Sequence, residues 1–178
     1  IKPNLIVINS TIRSMKYNGG INKEEINKEN LEALKKGIGN LETHILNMQK
    51  YTKNILVCLN KFDFDTAKEI EFVKKYVNNL NCEFEVSESY LKGSDWAINV
   101  AKKVVELCNN KIDYQKLYDY QLPIVEKINI ITKEIYHAKE VIIKPEILEK
   151  LNEYEKNGSG NLPICSAKTQ YSLTDDAK

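Results

Sequence analysis

A chain of 178 residues with 42% hydrophobic content suits one domain of ordinary size with a real core. Its 26 basic and 25 acidic side chains leave a formal charge of +1, which excludes the basic footprint of a nucleic-acid or anionic-membrane binder. No apolar run approaches the roughly 18–20 residues of a membrane span, and the four cysteines form no C-x-x-C pair. They read as reduced core residues of a cytoplasmic protein, with no ligand spacing for zinc or another metal.

Residues 4–9 are a short, β-branched apolar run and predict a buried strand. Residues 11–27 read as a loop that passes through Gly19-Gly20. Residues 28–51 carry Leu31, Leu34, Ile38, Leu41, Ile45 and Met48 at spacings of three and four, which predicts a helix with a break near Gly37 and Gly39. A second buried strand is expected at 54–60. Asp65-Thr66 then caps a helix to about Leu80, with Ile70, Val73 and Val77 on one face.

A third strand is expected at 82–86. Gly93-Ser94-Asp95 opens a helix expected to turn Ile98, Ala101, Val105 and Cys108 inward. Pro123 starts a helix to about His137, and residues 141–143 suggest an edge strand. Pro145 starts a helix that ends near Gly158 in a left-handed cap, and residues 162–167 suggest a last strand. Uniformly apolar strands alternating with helices predict an α/β fold: a mostly parallel sheet with helices on both faces, Rossmann-like or P-loop-NTPase-like in its three layers. The start at Ile1 without Met and the polar end at Lys178 read as those of a truncated fragment.

Ligands of open parallel sheets bind beyond the carboxyl ends of the strands. Two aromatic residues fall there in polar loops, Phe62 and Tyr90, after consecutive strands of one strand–helix–strand unit. Strands so connected are usually neighbours. Both rings are therefore expected on one rim, where they can sandwich a flat heterocycle; the alternative is that each plugs its own loop. Thr11, Arg13, Lys16, Lys61, Lys92 and Lys168 collect on the same rim and can receive an anionic substrate or phosphate; the alternative is ordinary surface cations. Asn60-Lys61-Phe62-Asp63 also fits the Asn-Lys-x-Asp guanine-reading pattern, which keeps a GTPase-like nucleotide-binding module open as a second reading. The chain has no G-x-x-x-x-G-K-[ST] loop to cradle phosphates. His44 and His137 read as structural, and no hydrolase constellation stands out.

Longer motifs carry a resemblance. Residues 11–20 (TIRSMKYNGG) resemble the T-V-R-A-L-K-M-H-G-G stretch of formate–tetrahydrofolate ligases, and residues 28–34 (KENLEAL) are similar to their K-E-N-L-E-A-L helix start. Residues 39–45 (GNLETHI) are similar to P-N-L-E-K-H-I. Asn60, Phe62, Asp65 and Thr66 fit N-x-F-x-x-D-T. Residues 162–176 (LPICSAKTQYSLTDD) follow L-P-I-C-M-A-K-T-Q-Y-S-L-S-D-D almost residue for residue.

The resemblance implies an ATP-dependent ligase of one-carbon metabolism that joins formate to tetrahydrofolate through formyl phosphate. It implies formate, tetrahydrofolate and MgATP as substrates, no prosthetic group, and a homotetramer for the whole enzyme. Phe62 and Tyr90 fall where the family stacks two aromatic rings on the folate; Tyr90 stands where the family usually has Trp. It also implies that residues 1–45 pack with a nucleotide-binding domain carrying the phosphate loop, and that residues 46–178 form the folate-binding side. No catalytic residue is assigned within the chain, and the 178 residues alone are expected not to turn over.

Overall fold

A computed structural model describes residues 2–166. It divides into two compact units, with the boundary between Gln115 and Lys116. No helix among the described residues is long and apolar enough to cross a membrane.

The first unit is built on a parallel three-stranded sheet in the order β1 (Ile6–Ser10), β2 (Ile55–Asn60), β3 (Glu83–Ser87). Ile6 pairs with Ile55, and Leu56 with Glu83. Side chains alternate across the strands, so Ile6, Ile8, Ile55, Val57, Leu59, Phe84 and Val86 share one face. That face meets the core made by α1 (Ile12–Asn18), α2 (Leu31–Gly37), α3 (Gly39–Gln49) and α4 (Ala67–Asn79), through Ile12, Met15, Leu34, Leu41, Ile45, Val73 and Val77. On the other face, α6 (Ile98–Cys108) lies over β3, where Lys103 Nζ is 3.5 Å from a Glu83 carboxylate oxygen. β2 is central, and Leu56 and Cys58 on its second face are buried as well. The expected α/β fold, a parallel sheet with helices on both sides, is thus present.

Local chemistry sets the boundaries. Thr66 accepts a hydrogen bond from the Glu69 N–H while the Glu69 carboxylate accepts from the Thr66 N–H, a reciprocal cap that starts α4. Asn30 caps α2 by accepting from Ala33 N. The long helix expected over 28–51 is two helices that meet at Ile38, as its glycines suggest.

Four expectations are corrected. Residues 12–18 form a helix rather than a loop: Thr11 caps it by accepting from Ser14 N, and Ile12 and Met15, three apart, are buried. The α6 face is rotated: Val105 is 64% exposed, Ile98 and Ala101 are also exposed, and Leu107 is the buried residue. Residues 141–143 and 162–166 are not strands; Ile142 and Leu162 are exposed, and neither segment joins a ladder. Cys165 is exposed rather than in the core, whereas Cys58 and Cys82 are buried. Residue 167 lies outside the described residues.

The second unit contains α7 (Ile124–Glu134) and α8 (Pro145–Tyr154). α7 stops before the expected His137, which has a φ of 55°. Lys127 is fully buried on α7, and its ammonium donates to the carbonyls of Tyr120, Gly160 and Leu162. A single π-type turn follows α8, and Gly158 takes the left-handed conformation with a φ of 87°.

Candidate functional site

The register fixes where the strands end. Ser10 pairs with Leu59, and Asn60 with Ser87, so all three strands finish at one edge. Three connections emerge there: Thr11 and the first turn of α1 after β1, the loop Lys61–Asp65 after β2, and Glu88 with the short helical turn that carries Tyr90 after β3. The second and third are joined by a backbone hydrogen bond from Lys61 N–H to the Ser87 carbonyl, 2.8 Å.

Phe62 is held by a closed turn. Its N–H donates to Asp65 Oδ2 at 2.8 Å, and the Asp65 N–H donates back to the Phe62 carbonyl at 3.1 Å. Asp65 is buried, and burial pushes its carboxyl above the usual aspartate range, against the pull of the Phe62 N–H and the charges of Lys16 and Arg13. Tyr90 stands on α5 (Ser89–Lys92), a single turn bounded by Gly93 at a φ of 84°. Tyr90 is 71% exposed. The Phe62 and Tyr90 rings have centroids 5.2 Å apart and are tilted by 52°, in contact with each other. The Arg13 guanidinium carbon lies 5.1 Å from the centre of the Phe62 ring, within cation–π range. The rim therefore brings Arg13, Phe62 and Tyr90 together.

The other basic candidates sit differently. Lys61 and Lys92 both donate to Glu88, a residue the spacing argument passed over. Hydrogen bonding from Lys61, then from Lys92, holds the Glu88 carboxyl below the usual range against its partial desolvation. Lys92 also lies 3.8 Å from the centre of the Trp96 ring. Lys16 is not on the rim: it is fully buried against Glu69. Thr11 is occupied as the α1 cap. Lys168 lies outside the described residues. Asp63 of the guanine-reading pattern is exposed, and its Lys61 is paired with Glu88.

Below Tyr90 an open cleft of about 480 Å³ is lined by Val7, Asn9, Cys58, Asn60, Ser87 and Ser89. Two amides and two hydroxyls over an apolar floor suit a small, flat, hydrogen-bonding ligand. The Cys58 thiol there is pushed up by burial and then by Glu85, so it is not poised as a thiolate.

A sequence model of the formate–tetrahydrofolate ligase family matches residues 1–178. The chain belongs to this family. It is 42% identical over 176 residues to a formate–tetrahydrofolate ligase of Pseudothermotoga lettingae, covering 99% of this chain and 32% of that protein. It is 46% identical over 179 residues to one of Campylobacter concisus, covering 100% of this chain and 33% of that protein. The chain thus spans about a third of the length of these curated formate–tetrahydrofolate ligases.

Sequence reasoning missed Glu88 at the rim and the buried Lys16–Glu69 pair behind it. For Glu88 a signal existed, a Glu four residues before a Lys at a helix start. For Lys16 and Glu69, 53 residues apart, there was none.

Proposed function

We propose that this chain supplies the folate-binding side of a formate–tetrahydrofolate ligase, with Phe62 and Tyr90 as the two rings that take the pterin between them. The observation that carries the reading is their contact on one rim, at the ends of neighbouring parallel strands, with Tyr90 largely in solvent. A flat ligand between two rings needs them roughly 7 Å apart, twice the contact distance of stacked carbon atoms. The rings at 5.2 Å are therefore closed on each other. Tyr90 is the partner that moves, because its platform is one helical turn ending at Gly93, whereas Phe62 is tied down by two hydrogen bonds to Asp65.

In the reaction this reading brings, a formate oxygen attacks the γ-phosphorus of ATP, ADP leaves, and formyl phosphate forms. The N10 amine of tetrahydrofolate then attacks the formyl carbon, loses its proton, and phosphate departs. The rings hold the pterin and so set where N10 lies; Arg13, beside Phe62, adds positive charge where the anionic formyl phosphate is attacked. No group of three or more His, Cys, Asp or Glu that could hold an ion lies among the described residues, so none is assigned to the magnesium of MgATP. The whole enzyme is read as a homotetramer.

Calorimetric titration with tetrahydrofolate tests the platform. Phe62→Ala and Tyr90→Ala should each weaken binding by about three- to tenfold, the scale of one stacking contact. Unchanged affinity in both variants would remove the platform.

A further inference from the structure

The rim holds a charge arrangement that ring stacking leaves unused. Lys61 precedes Phe62, and Lys92 follows Tyr90 by two residues. Their ammonium groups converge on one carboxylate: Lys61 Nζ is 2.6 Å from Glu88 Oε1, and Lys92 Nζ is 3.2 Å from both Glu88 oxygens. The Trp96 ring lies against Lys92 Nζ at 3.8 Å and keeps that ammonium on the same side of α5. The side chains are 29%, 41% and 17% exposed for Lys61, Lys92 and Glu88, so the cluster is open to solvent on one side. Two ammonium groups against one carboxylate leave a surplus of one positive charge beside the ring pair.

Two lysines bridging a carboxylate form an oxyanion site whose present occupant belongs to the chain itself. A pterin conjugate such as tetrahydrofolate continues from its ring into an aminobenzoyl group and a glutamate with two carboxylates. With the ring on Phe62 and Tyr90, the tail leaves a platform whose two rings are each flanked in the chain by one of these lysines.

We propose that Lys61 and Lys92 form the binding site for the acidic tail of the pterin conjugate, and that Glu88 fills it as an internal surrogate until the tail arrives. The proposal rests on the platform reading above. The exchange replaces one carboxylate by another: Glu88 turns to water, and no bond is made or broken. Partly exposed ion pairs are weak, so the surrogate is displaceable. It also competes, so the site binds the tail less tightly than an unoccupied lysine pair would.

The test is calorimetric titration of the full chain with two ligands: tetrahydrofolate, and its α,γ-diamide, which has the same skeleton without the tail charges. Glu88→Gln is expected to tighten tetrahydrofolate roughly fivefold, the equivalent of one weak ion pair, and to leave the diamide unchanged. Lys92→Met, which keeps the Lys61–Glu88 bond, should weaken tetrahydrofolate alone. Inorganic phosphate should compete with tetrahydrofolate and not with the diamide.

If Glu88→Gln weakens both ligands equally, Glu88 only props α5 and the proposal falls while the platform stands. If phosphate binds but Lys92→Met leaves the tetrahydrofolate affinity unchanged, the site serves free phosphate and the assignment to the tail is wrong. If neither folate ligand binds the unaltered protein, the platform itself fails and this proposal goes with it.

Discussion

Lys16 Nζ lies 2.9 Å from Glu69 Oε1, with both side chains sealed from water. Both partners make further hydrogen bonds. Lys16 also donates to the Lys28 carbonyl, and the Glu69 carboxylate accepts from the N–H groups of Asn30 and Thr66. One ion pair thus ties α1, which carries Arg13, to the start of α4 just beyond Phe62. Removing one partner leaves a buried charge alone. Lys16→Met should cost about 3–5 kcal/mol in urea unfolding, whereas Lys16→Met with Glu69→Leu should recover much of it. Equal losses in the single and double variants would show that the charge balance does not matter.

The acid limb of stability should reflect two carboxyls of opposite sign. Burial pushes Glu69 up, but the Asn30 N–H, the Lys16 ammonium and the Thr66 N–H outweigh it and hold the group below the usual range. A depressed folded value means that its stabilisation is complete above the unfolded value of about 4.3 and is lost as pH falls through the folded one. Asp65 is raised by burial, so its contribution is present below about 3.9 and is lost as pH rises through its folded value. Unfolding free energy measured against pH should therefore flatten at acid pH in Glu69→Gln. It should steepen in Asp65→Asn, which keeps an acceptor for Phe62 N–H.

Tyr76 donates its hydroxyl to Glu42 at 2.7 Å, across α4 and α3. Burial, then the Glu42 carboxylate, pushes the phenol up to about 12. Because an unfolded tyrosine titrates near 10, the stabilisation is complete below about pH 10 and is lost as pH rises through the folded value. Tyr76→Phe should cost about 1–2 kcal/mol at neutral pH. The ultraviolet titration of the parent minus the variant should show one phenol ionising near pH 12.

Gly19 and Gly37 lock α1 against α2. A Cβ on Gly37 would fall 1.8 Å from the Met15 carbonyl oxygen, and one on Gly19 would fall 1.9 Å from the Ala33 oxygen; Gly39 has nothing within 4 Å. Gly37→Ala should destabilise by about 1–3 kcal/mol, because backbone must move. Gly39→Ala, in the first turn of α3, should gain up to roughly 1 kcal/mol from reduced unfolded-state freedom. Thermal denaturation of the two variants checks the contrast, and a neutral Gly37→Ala would mean that the helices slide apart easily.

The sheet was readable because its signal is local: β2 is one apolar run, and the Thr66 cap announces α4. The break at Ile38 was likewise carried by the glycines around it. Helix α1 was missed because only Ile12 and Met15 mark its buried side, too few for a period. The α6 face was misjudged for a different reason. Its apolar residues surround more than one side, so periodicity cannot choose between Leu107 and Val105. At the rim, chain order and strand ends were enough to bring Phe62 and Tyr90 together, but not to show that the rings touch. Whether Lys61 and Lys92 stand free depends on where Glu88 points, and Lys16 left the rim because a carboxylate 53 positions away receives it. Contacts of that kind are set by tertiary packing and leave no local mark.

Tyr90→Trp tests the platform in the direction of gain. The residue is exposed on a single helical turn, so a larger ring meets no packed core there. A pterin is bicyclic, and an indole offers it more overlapping face than a phenol. If a pterin lies between positions 62 and 90, the variant should bind tetrahydrofolate about three- to tenfold tighter, with the gain in slower dissociation, since the tighter stack is broken on leaving. Stability should change by less than about 0.5 kcal/mol, as for other exposed positions. Stopped-flow release of tetrahydrofolate and urea unfolding separate the two effects. An unchanged release rate in Tyr90→Trp, together with normal stability, would mean that the ring at position 90 faces solvent in the bound state as well, and that Phe62 stacks alone.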